Sequence, residues 1–201
     1  GLYDAFESSN IPFNMAYVRG SDSRFEGLLE HRYDFVISSR YYANEVIRKH
    51  KQLSIAVGLG GYSYVGGHVV LFRNHLDKGA NQLKVGLDSH SFDQSRLTRY
   101  AFRDQNVEFI DISYNQILNK LLNKEIDATV WNVDEIHEPY QSFQQHWLTV
   151  PDEEEIANTE AVIVVNEEKM GAARMIKEII QVAKIRQIQS QVLQNIISPK
   201  Y

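Results

Sequence analysis

The sequence predicts an α/β fold made of two lobes that are joined by two hinge crossings, and three observations lead to it. Segments with the apolar pattern of strands alternate with segments of helical period for most of the 201 residues. One motif, in which a helix is followed by a short link and a strand, occurs twice. Two extended apolar segments remain after the other strands are assigned, and they can carry the chain between the lobes.

The first half of the chain opens on a short helix, Gly1 to Ser9, which ends near Pro12. An extended apolar segment is then predicted at Phe13–Arg19. The pattern predicts helices at Asp22–Arg32 and Tyr41–His50, short strands at Asp34–Ser38 and Leu53–Val57, and a long strand at Tyr64–Phe72. Asp34–Ser38 is apolar at nearly every position, which is typical of strands buried on both faces. We therefore expect mainly parallel sheets.

The second half repeats the alternation. It predicts strands at Gln82–Leu87, Val107–Ile112, Asp127–Trp131, Trp147–Val150 and Glu160–Val165, and helices at Ser91–Asp104 and Tyr114–Asn123. Residues 136–146 have a weak helical pattern, and the acidic run that begins at Pro151 predicts a linker. Lys169–Ile197 predicts one long helix or two, because it contains no proline before Ile197.

The repeated motif places a pair of leucines near a helix end, then four residues, then an aspartate that opens an apolar strand. It occurs at Leu28-Leu29 with Asp34, and again at Leu121-Leu122 with Asp127. The repeat predicts two similar lobes rather than one continuous sheet.

The two crossings are predicted at Tyr64–Phe72 and at Ile156–Val165. They give a first lobe of residues 1–73 and 156–201 and a second lobe of residues 74–155, with a hinge that closes on a ligand in the cleft. The chain opens on a helix, whereas an α/β unit usually starts with a strand, so we also expect further sequence upstream in the natural protein.

Composition excludes several classes of function. The 21 Lys and Arg residues against 26 Asp and Glu residues give a net charge of −5, without the dense basic run that binds a phosphate backbone. The absence of cysteine excludes thiol nucleophiles, disulfides and Cys-ligated metals. No apolar run reaches the roughly 18–20 residues of a membrane span. We expect no cofactor and no metal.

Catalytic motifs are also missing from the sequence. The seven histidines form no His-Glu-x-x-His pattern, and no Gly-x-Ser-x-Gly elbow is present. The glycine-rich stretch Gly58–Ser63 lacks the lysine of a phosphate-binding loop and precedes a strand, so we interpret it as a bend that enters the hinge. An enzyme is therefore the least favoured of the functions considered.

Three segments resemble the type II periplasmic-binding-protein fold. Lys84–Gln94 is similar to the strand and ligand loop that open the second lobe in that fold, and Asp127–Asn132 and Asp34–Arg40 are similar to its Asp-led strands. The enzymes on this fold fit poorly, because porphobilinogen polymerases need a cofactor-bearing cysteine. The Thr-Arg-Tyr echo of prephenate dehydratases at Thr98–Tyr100 falls inside a predicted helix.

More narrowly, Phe13–Ser21 and Gly58–Ser63 resemble the C-terminal domain of YhfZ-type bacterial transcriptional regulators. The resemblance implies a cytoplasmic effector domain that binds a small molecule, contacts DNA only through a helix-turn-helix domain outside this chain, and has no membrane partner. The C-terminal helix is a candidate homodimer surface, since regulators often read two half-sites. The alternative is a periplasmic solute receptor of a transporter, which would carry a signal peptide upstream instead.

Ligands of open α/β sheets bind beyond the carboxyl ends of the strands. This rule selects as candidate ligand-binding residues Arg19, Gly20, Ser21, Ser38, Ser39, Arg40, Tyr62 and Ser63 in the first lobe and Ser89, His90, Ser91, Trp131 and Asn132 in the second.

The residue types favour an anionic ligand. The backbone N–H groups of Ser89–Ser91 precede a helix and would bind a carboxylate, with a helix cap as the alternative role for either serine. Arg19 and Arg40 are candidate bidentate anchors, with a surface salt bridge as the alternative for each. Asn132 stands where amino-acid binders of the fold often carry an aspartate, so an α-amino acid is disfavoured, unless Asp134 supplies the charge.

Overall fold

A computed structural model describes residues 1–18, 20–73, 82–169 and 171–198. The contacts divide the chain into two compact units. The first is Gly1–Tyr64 with Ile156–Tyr201, and the second is Val65–Glu155. The chain therefore passes from one unit to the other twice. The predicted boundaries are those of two lobes that close on a ligand, and this organisation stays a prediction.

The elements alternate in chain order. The helices are α1 Leu2–Ser8, α2 Ser21–Leu29, α3 Arg40–Lys49, α4 Phe92–Ala101, α5 Tyr114–Leu122, α6 Asp152–Thr159, α7 Ala172–Ile179 and α8 Val182–Leu193. The strands are β1 Phe35–Ser39, β2 Leu53–Gly58, β3 His68–Phe72, β4 Leu83–Leu87, β5 Val107–Asp111, β6 Ala128–Asn132, β7 Gln144–Trp147 and β8 Ala161–Asn166. Short 3₁₀ helices form at Val133–Glu135 and Tyr140–Ser142.

The sheet of the first unit has the order β1-β8-β2, and β8 is antiparallel to both neighbours. All six residues of β8 are buried. One face of the sheet packs against α1, α7 and α8 through Phe6, Ile176 and Ile185, and the other packs against α2 and α3 through Leu28 and Ala43. The centre of this unit is therefore a strand that comes from the far end of the chain.

The sheet of the second unit has the order β5-β4-β6-β3-β7. The strand β4 is parallel to β5 and β6, whereas β3 is antiparallel to β6 and β7. Helix α5 covers one face through Ile117 and Leu121, and α4 covers the other through Leu97 and Phe102.

The expectation of mainly parallel sheets is wrong. Of the strand pairs in the described residues, only β4 with β5 and β4 with β6 are parallel. An apolar strand such as β8 indicates that helices cover both faces of its sheet. It does not report the direction of the neighbouring strands, and the prediction confused the two.

Several predicted elements differ from the structure. Residues 11–18 form no regular secondary structure, although a strand was expected at Phe13–Arg19. The predicted acidic linker is the helix α6, whose four acidic residues lie in the first turn, where the helix dipole favours negative charge. The weakly helical residues 136–146 form a 3₁₀ turn and most of β7, and the strand expected at Trp147–Val150 lies earlier in the chain. The C-terminal segment, for which one long helix or two were expected, forms two helices that break at Ile180.

The repeated motif is confirmed in detail. Helix α5 begins and ends 93 positions after α2, and β6 begins and ends 93 positions after β1. Each helix is followed by a residue with left-handed backbone, namely His31 with φ 60° and Lys124 with φ 62°. The N–H groups of Arg32 and Glu125 then donate to the carbonyls of Gly27 and Lys120. The two units therefore share one helix-to-strand design.

Candidate functional site

The predicted site residues lie in two sets, one in each unit. The first set lies at the end of β1, at the start of α2 or α3, or after β2, and the second follows β4 or lies in β6. Arg19 lies outside the described residues. Each set is built by the contacts of its own unit.

Arg40, the first residue of α3, forms a bidentate pair with Glu160. Its Nε and Nη2 donate to the two carboxylate oxygens, with 2.9 Å between Nη2 and Oε1, and its backbone N donates to the Glu160 carbonyl at 2.9 Å. The hydrogen bond from Arg40 lowers the pKa of Glu160, and the same contact raises the pKa of Arg40. The salt-bridge alternative thus holds for Arg40, which presents no uncompensated charge to a ligand.

Glu160 was not identified from the sequence. Its side chain is 8% exposed, and its Oε1 also accepts from the N–H of Gly60 at 3.1 Å. A glutamate placed directly before the apolar run Ala161–Val165 is the signal that could have found it, because a carboxylate this deeply buried needs a partner. Glu160 joins α3 to the glycine-rich turn.

The glycine-rich turn is a structural bend, as the sequence indicated. The Ser63 hydroxyl donates to the Gly60 carbonyl at 2.5 Å and accepts from the N–H of Ala161 at 2.8 Å. From α8, Arg186 donates to the Gly61 carbonyl and Gln189 donates to the Ser63 carbonyl, each at 3.0 Å. Ser63 is therefore occupied in holding the turn. Tyr62, at φ 59° and 51% exposed, is the side chain that the turn presents to solvent.

The serines beside β1 have different surroundings. Ser39 caps α3 by accepting from the N–H of Tyr42 at 3.1 Å, whereas Ser38 is fully buried and its hydroxyl has no hydrogen-bond partner in the described part of the chain. Gly20 precedes α2 with φ 80°, and Ser21 accepts from Arg24 at 2.9 Å. Ser38 thus keeps an unused hydrogen-bonding group at the carboxyl end of a strand.

The Ser89–Ser91 loop carries the protein's own carboxylates on its N–H groups. The N–H and hydroxyl of Ser89 donate to the two oxygens of Asp111 at 2.9 and 2.7 Å. The N–H of His90 donates to Oδ1 of Asp88 at 2.8 Å, and that of Ser91 donates to the Asp88 carbonyl at 3.0 Å. These three amides are therefore engaged by groups of the protein itself in this structure, and the anion site on them stays a prediction. The His90 side chain is 93% exposed.

Asp88 is the centre of this loop and was missed from the sequence. Its second oxygen accepts from the N–H of Tyr114 at 2.8 Å and so caps α5, while its own N–H donates to Gln94 at 2.9 Å. The amide of Gln94 in turn contacts Thr98, Thr129 and the Val130 carbonyl. An aspartate at the end of a strand was the available signal. The network fixes the loop on two helices and a strand.

Trp131 and Asn132, the remaining candidate ligand-binding residues, make contacts within their own unit in this structure. Trp131 is 4% exposed and stacks on Tyr114 with 4.2 Å between ring centroids, so it belongs to the core of the second unit. Asn132 accepts from the N–H of Asp134 at 2.9 Å and caps the following 3₁₀ helix. Asp134, considered as a substitute charge, accepts from the N–H of Gly66 at 2.7 Å.

The chemistry that these loops offer is hydrogen bonding from preorganised backbone, hydroxyl and carboxylate groups. Within residues 1–18, 20–73, 82–169 and 171–198, no group of three or more His, Asp or Glu side chains could hold a metal ion. Among those same residues, none of the helices is both long enough and apolar enough to cross a bilayer.

Comparison with known structures first defines the fold. The fold is α/β and of the type II periplasmic-binding-protein class. The structure matches a periplasmic substrate-binding protein of an ABC transporter from Coxiella burnetii over 96% of this chain and 88% of that one, with a TM-score of 0.62 and 10% sequence identity.

The family follows from the sequence. The model of the YhfZ C-terminal domain matches residues 1–201, and the chain belongs to this family. It is 30% identical to YhfZ of Escherichia coli K12 over 201 residues, which span 65% of that protein's length. The crystal structure of YhfZ from Shigella flexneri matches all of this chain and 84% of that chain, with 32% identity and a TM-score of 0.78.

Proposed function

We propose that this chain is the effector-binding domain of a bacterial transcriptional regulator, which acts in the cytoplasm and binds a small molecule through the loops at the carboxyl ends of its strands. Membership of the YhfZ C-terminal family, on a fold shared with substrate-binding proteins, is the observation that carries the proposal. DNA contact belongs to a part of the regulator outside residues 1–201, and dimerisation through α8 would let two copies read two half-sites.

The local geometry supports binding rather than catalysis. A general base must be oriented toward its substrate by a neighbouring group. His90 is the exposed titratable side chain of the loop, and it lies 3.5 Å from Asp88 Oδ1, an oxygen already used by a backbone N–H. The carboxylates Asp88 and Asp111 hold helix and loop amides. Their role is to fix the loops, and a fixed loop binds without an ordering cost.

Whether the ligand is anionic or neutral depends on which polar and charged groups of these loops can contact it. Arg40 is paired with Glu160, and the amides of Ser89 and His90 are paired with Asp111 and Asp88. An anionic ligand would therefore rely on other charged groups, of which Arg19 is the remaining candidate. A neutral ligand needs only groups such as the Ser38 hydroxyl, which has no hydrogen-bond partner in the described residues.

A thermal-shift series tests the proposal. We would measure the melting temperature of the protein alone and with succinate, inorganic phosphate, L-lysine, L-methionine or a neutral sugar at millimolar concentration. A bound probe stabilises the folded protein by mass action and so raises the melting temperature. At a probe concentration one hundred times the dissociation constant, the free energy of unfolding rises by about 2.7 kcal/mol. We expect at least one probe to do so and calorimetry to give one site per chain.

A matched pair of histidine variants locates the site. His90→Ala and His137→Ala both replace an exposed imidazole, but only His90 lies in a proposed binding loop. We expect His90→Ala to reduce the ligand-induced shift and His137→Ala to leave it unchanged. If the two variants respond alike, the ligand does not contact the Ser89–Ser91 loop.

The alternative is a solute receptor of a transporter, and the similarity to the Coxiella burnetii protein favours it. The longer natural protein separates the two functions. A regulator retains a DNA fragment in a mobility-shift assay and changes its affinity when the probe is added. A receptor binds the probe without any effect of DNA.

A further inference from the structure

The strand β7 forms one edge of the sheet of the second unit. It is antiparallel to β3, with Trp147 opposite Val69 and Gln145 opposite Leu71. Its other side pairs with no strand of the described residues, and all four of its side chains are exposed. In the described part of the chain this edge is therefore open to solvent.

The hydrogen bonds on the inner side of β7 show which of its backbone groups point outward. The N–H of Leu148 donates to the carbonyl of His68 at 3.0 Å, so these two residues form a hydrogen-bonded pair of the antiparallel ladder. Such pairs recur at every second residue. His146 therefore also bonds to β3, whereas the N–H and C=O groups of Gln145 and Trp147 point away from it. The outer side of β7 thus offers two donors and two acceptors.

The sequence of β7 does little to prevent pairing with another molecule. Proteins usually protect an edge strand with charged side chains, proline, a bulge or short length. Apart from its length, Gln144–Trp147 has none of these, since it pairs with β3 in regular register. The opposite edge of the same sheet, β5, carries Glu108 and Asp111, and β2 has a register shift between Ile55 and Val57. The edge of β7 is thus free of charge and of distortion.

We propose that β7 pairs with β7 of a second copy of this chain, antiparallel and centred on His146. A two-fold axis at His146 places Gln145 of each copy opposite Trp147 of the other. Because both residues direct their N–H and C=O groups outward, the two pairs form four hydrogen bonds and use every outward group of the edge. No Lys, Arg, Asp or Glu lies in the strand to repel its own copy. A two-fold contact of identical edges is closed, so assembly through it stops at the dimer.

Trp147 supplies the apolar part of this contact. Its side chain is 68% exposed, and Gly67 leaves the space in which the ring lies, because a Cβ at Gly67 would be 2.8 Å from Cζ3 of Trp147. Residues opposite each other in an antiparallel pair share a face of the sheet, so Gln145 of the second copy lies beside this ring. The dimer therefore covers two exposed tryptophans, a residue type enriched among those that dominate interface energies.

Cysteine cross-linking tests the register. The chain contains no cysteine, so single variants can be compared directly. In His146→Cys the two thiols belong to residues directly opposite each other, with Cβ atoms about 4.5–5.5 Å apart. We expect oxidised glutathione to link this variant into a dimer.

Gln144→Cys is the matched control, because it lies on the same face of the same strand. In the proposed register the two copies of residue 144 are offset by four positions along the paired strands, which is about 14 Å. We expect this variant to stay unlinked under the same oxidant. Equal cross-linking of the two variants, or none in His146→Cys, would overturn the proposal.

Sedimentation velocity tests the strand pairing from micromolar to millimolar protein. Gln145→Pro removes an outward N–H and leaves the bonds to β3, a position that proline tolerates in edge strands. Each copy then loses one hydrogen bond of the contact, so the dissociation constant should rise about tenfold or more. The melting temperature at micromolar protein should change little.

Leu193→Asp is the control for the other candidate dimer surface, since Leu193 is 68% exposed on α8. We expect it to leave the dissociation constant unchanged. A protein that is monomeric at every concentration, or a dimer lost in Leu193→Asp but kept in Gln145→Pro, would overturn the proposal. These measurements need neither ligand nor DNA, so their outcome is separate from that of the proposed function.

Discussion

At the scale of single residues, a few buried polar groups hold the loops at the carboxyl ends of the strands. Glu160 joins the start of β8 to α3 and to the glycine-rich turn. Its carboxylate contacts the guanidinium of Arg40 and the N–H of Gly60, and its carbonyl accepts from the N–H of Arg40. Charge-assisted and bidentate pairs of this kind are stronger than neutral hydrogen bonds and fix the geometry of both partners. The pair of Arg40 and Glu160 also needs space that the surrounding backbone must leave free.

Gly58 provides that space. A Cβ at this position would overlap with Nη2 of Arg40 and Oε1 of Glu160, whereas a Cβ at Gly61 would meet no atom closer than Oγ1 of Thr159 at 3.9 Å. We expect Gly58→Ala to lower the free energy of unfolding by about 1–3 kcal/mol, because the ion pair must move. The matched variant Gly61→Ala should stay within about 0.5 kcal/mol of wild type. Urea denaturation measures both, and equal values would contradict the role given to Gly58.

His68 makes the stability of the second unit depend on pH. Burial lowers the pKa of His68 to about 4 from its ordinary 6.5, although the nearby Asp134 acts in the opposite direction. Between these two values the unfolded chain binds a proton that the folded chain does not, so stability decreases as pH falls from 6.5 to about 4. A shift of this size corresponds to about 3 kcal/mol at most.

The variant His68→Phe removes this dependence. We expect the difference in unfolding free energy between wild type and variant to change across pH 6.5 to 4 and to be constant above pH 7. An NMR titration of wild type should give a midpoint near 4 for the His68 ring. A midpoint near 6.5 would contradict the burial argument.

At the scale of elements, the two helix-to-strand links use the same left-handed turn. A side chain at φ near +60° costs about 1–2 kcal/mol relative to an ordinary backbone conformation, and glycine avoids that cost. Both His31 and Lys124 occupy this position after a helix. The shared turn directs each strand back along its helix.

Glycine should therefore be tolerated or favoured at both links. We expect Lys124→Gly and His31→Gly each to raise the free energy of unfolding by about 0.5–1 kcal/mol, after the greater freedom of glycine in the unfolded chain is subtracted. Lys120→Gly, four residues earlier within α5, should instead destabilise by about 1 kcal/mol. Thermal denaturation of the three variants checks the signs.

Sequence reasoning could predict the repeated elements but not how they pair. The spacing from Leu28 to Asp34 recurs at Leu121 to Asp127, and local rules are enough to place a helix, a turn and a strand on it. The direction of β8 and the helix α6 depend on tertiary packing, which local patterns do not contain. For the site, Arg40 was found as a charge, but its partner Glu160 lies 120 positions away and Asp111 lies 22 positions from Ser89. Such pairs come from the topology.

At the scale of the whole molecule, the two units differ in the continuity of their chain. The second unit is the single stretch Val65–Glu155, whereas the first needs β8 from the far end of the chain to join β1 and β2. Contacts between distant residues form late, because closing a long loop costs entropy first. We expect pulsed hydrogen exchange during refolding to protect β4, β5 and β6 before β1 and β2, and to protect β1, β2 and β8 together. Early protection of β2 would contradict this order.

The central position of β8 has a further consequence during synthesis on the ribosome. Residues 1–64 emerge before the rest of residues 1–201, with β1 and β2 complete but without the strand that belongs between them. At about 5–20 residues per second, roughly 5–20 s pass before β8 follows. For that time the apolar sides of α2, α3 and the two strands lack their main partner, while the second unit can already fold behind them. The nascent first unit therefore exposes apolar surface that a chaperone can bind, for as long as that gap lasts.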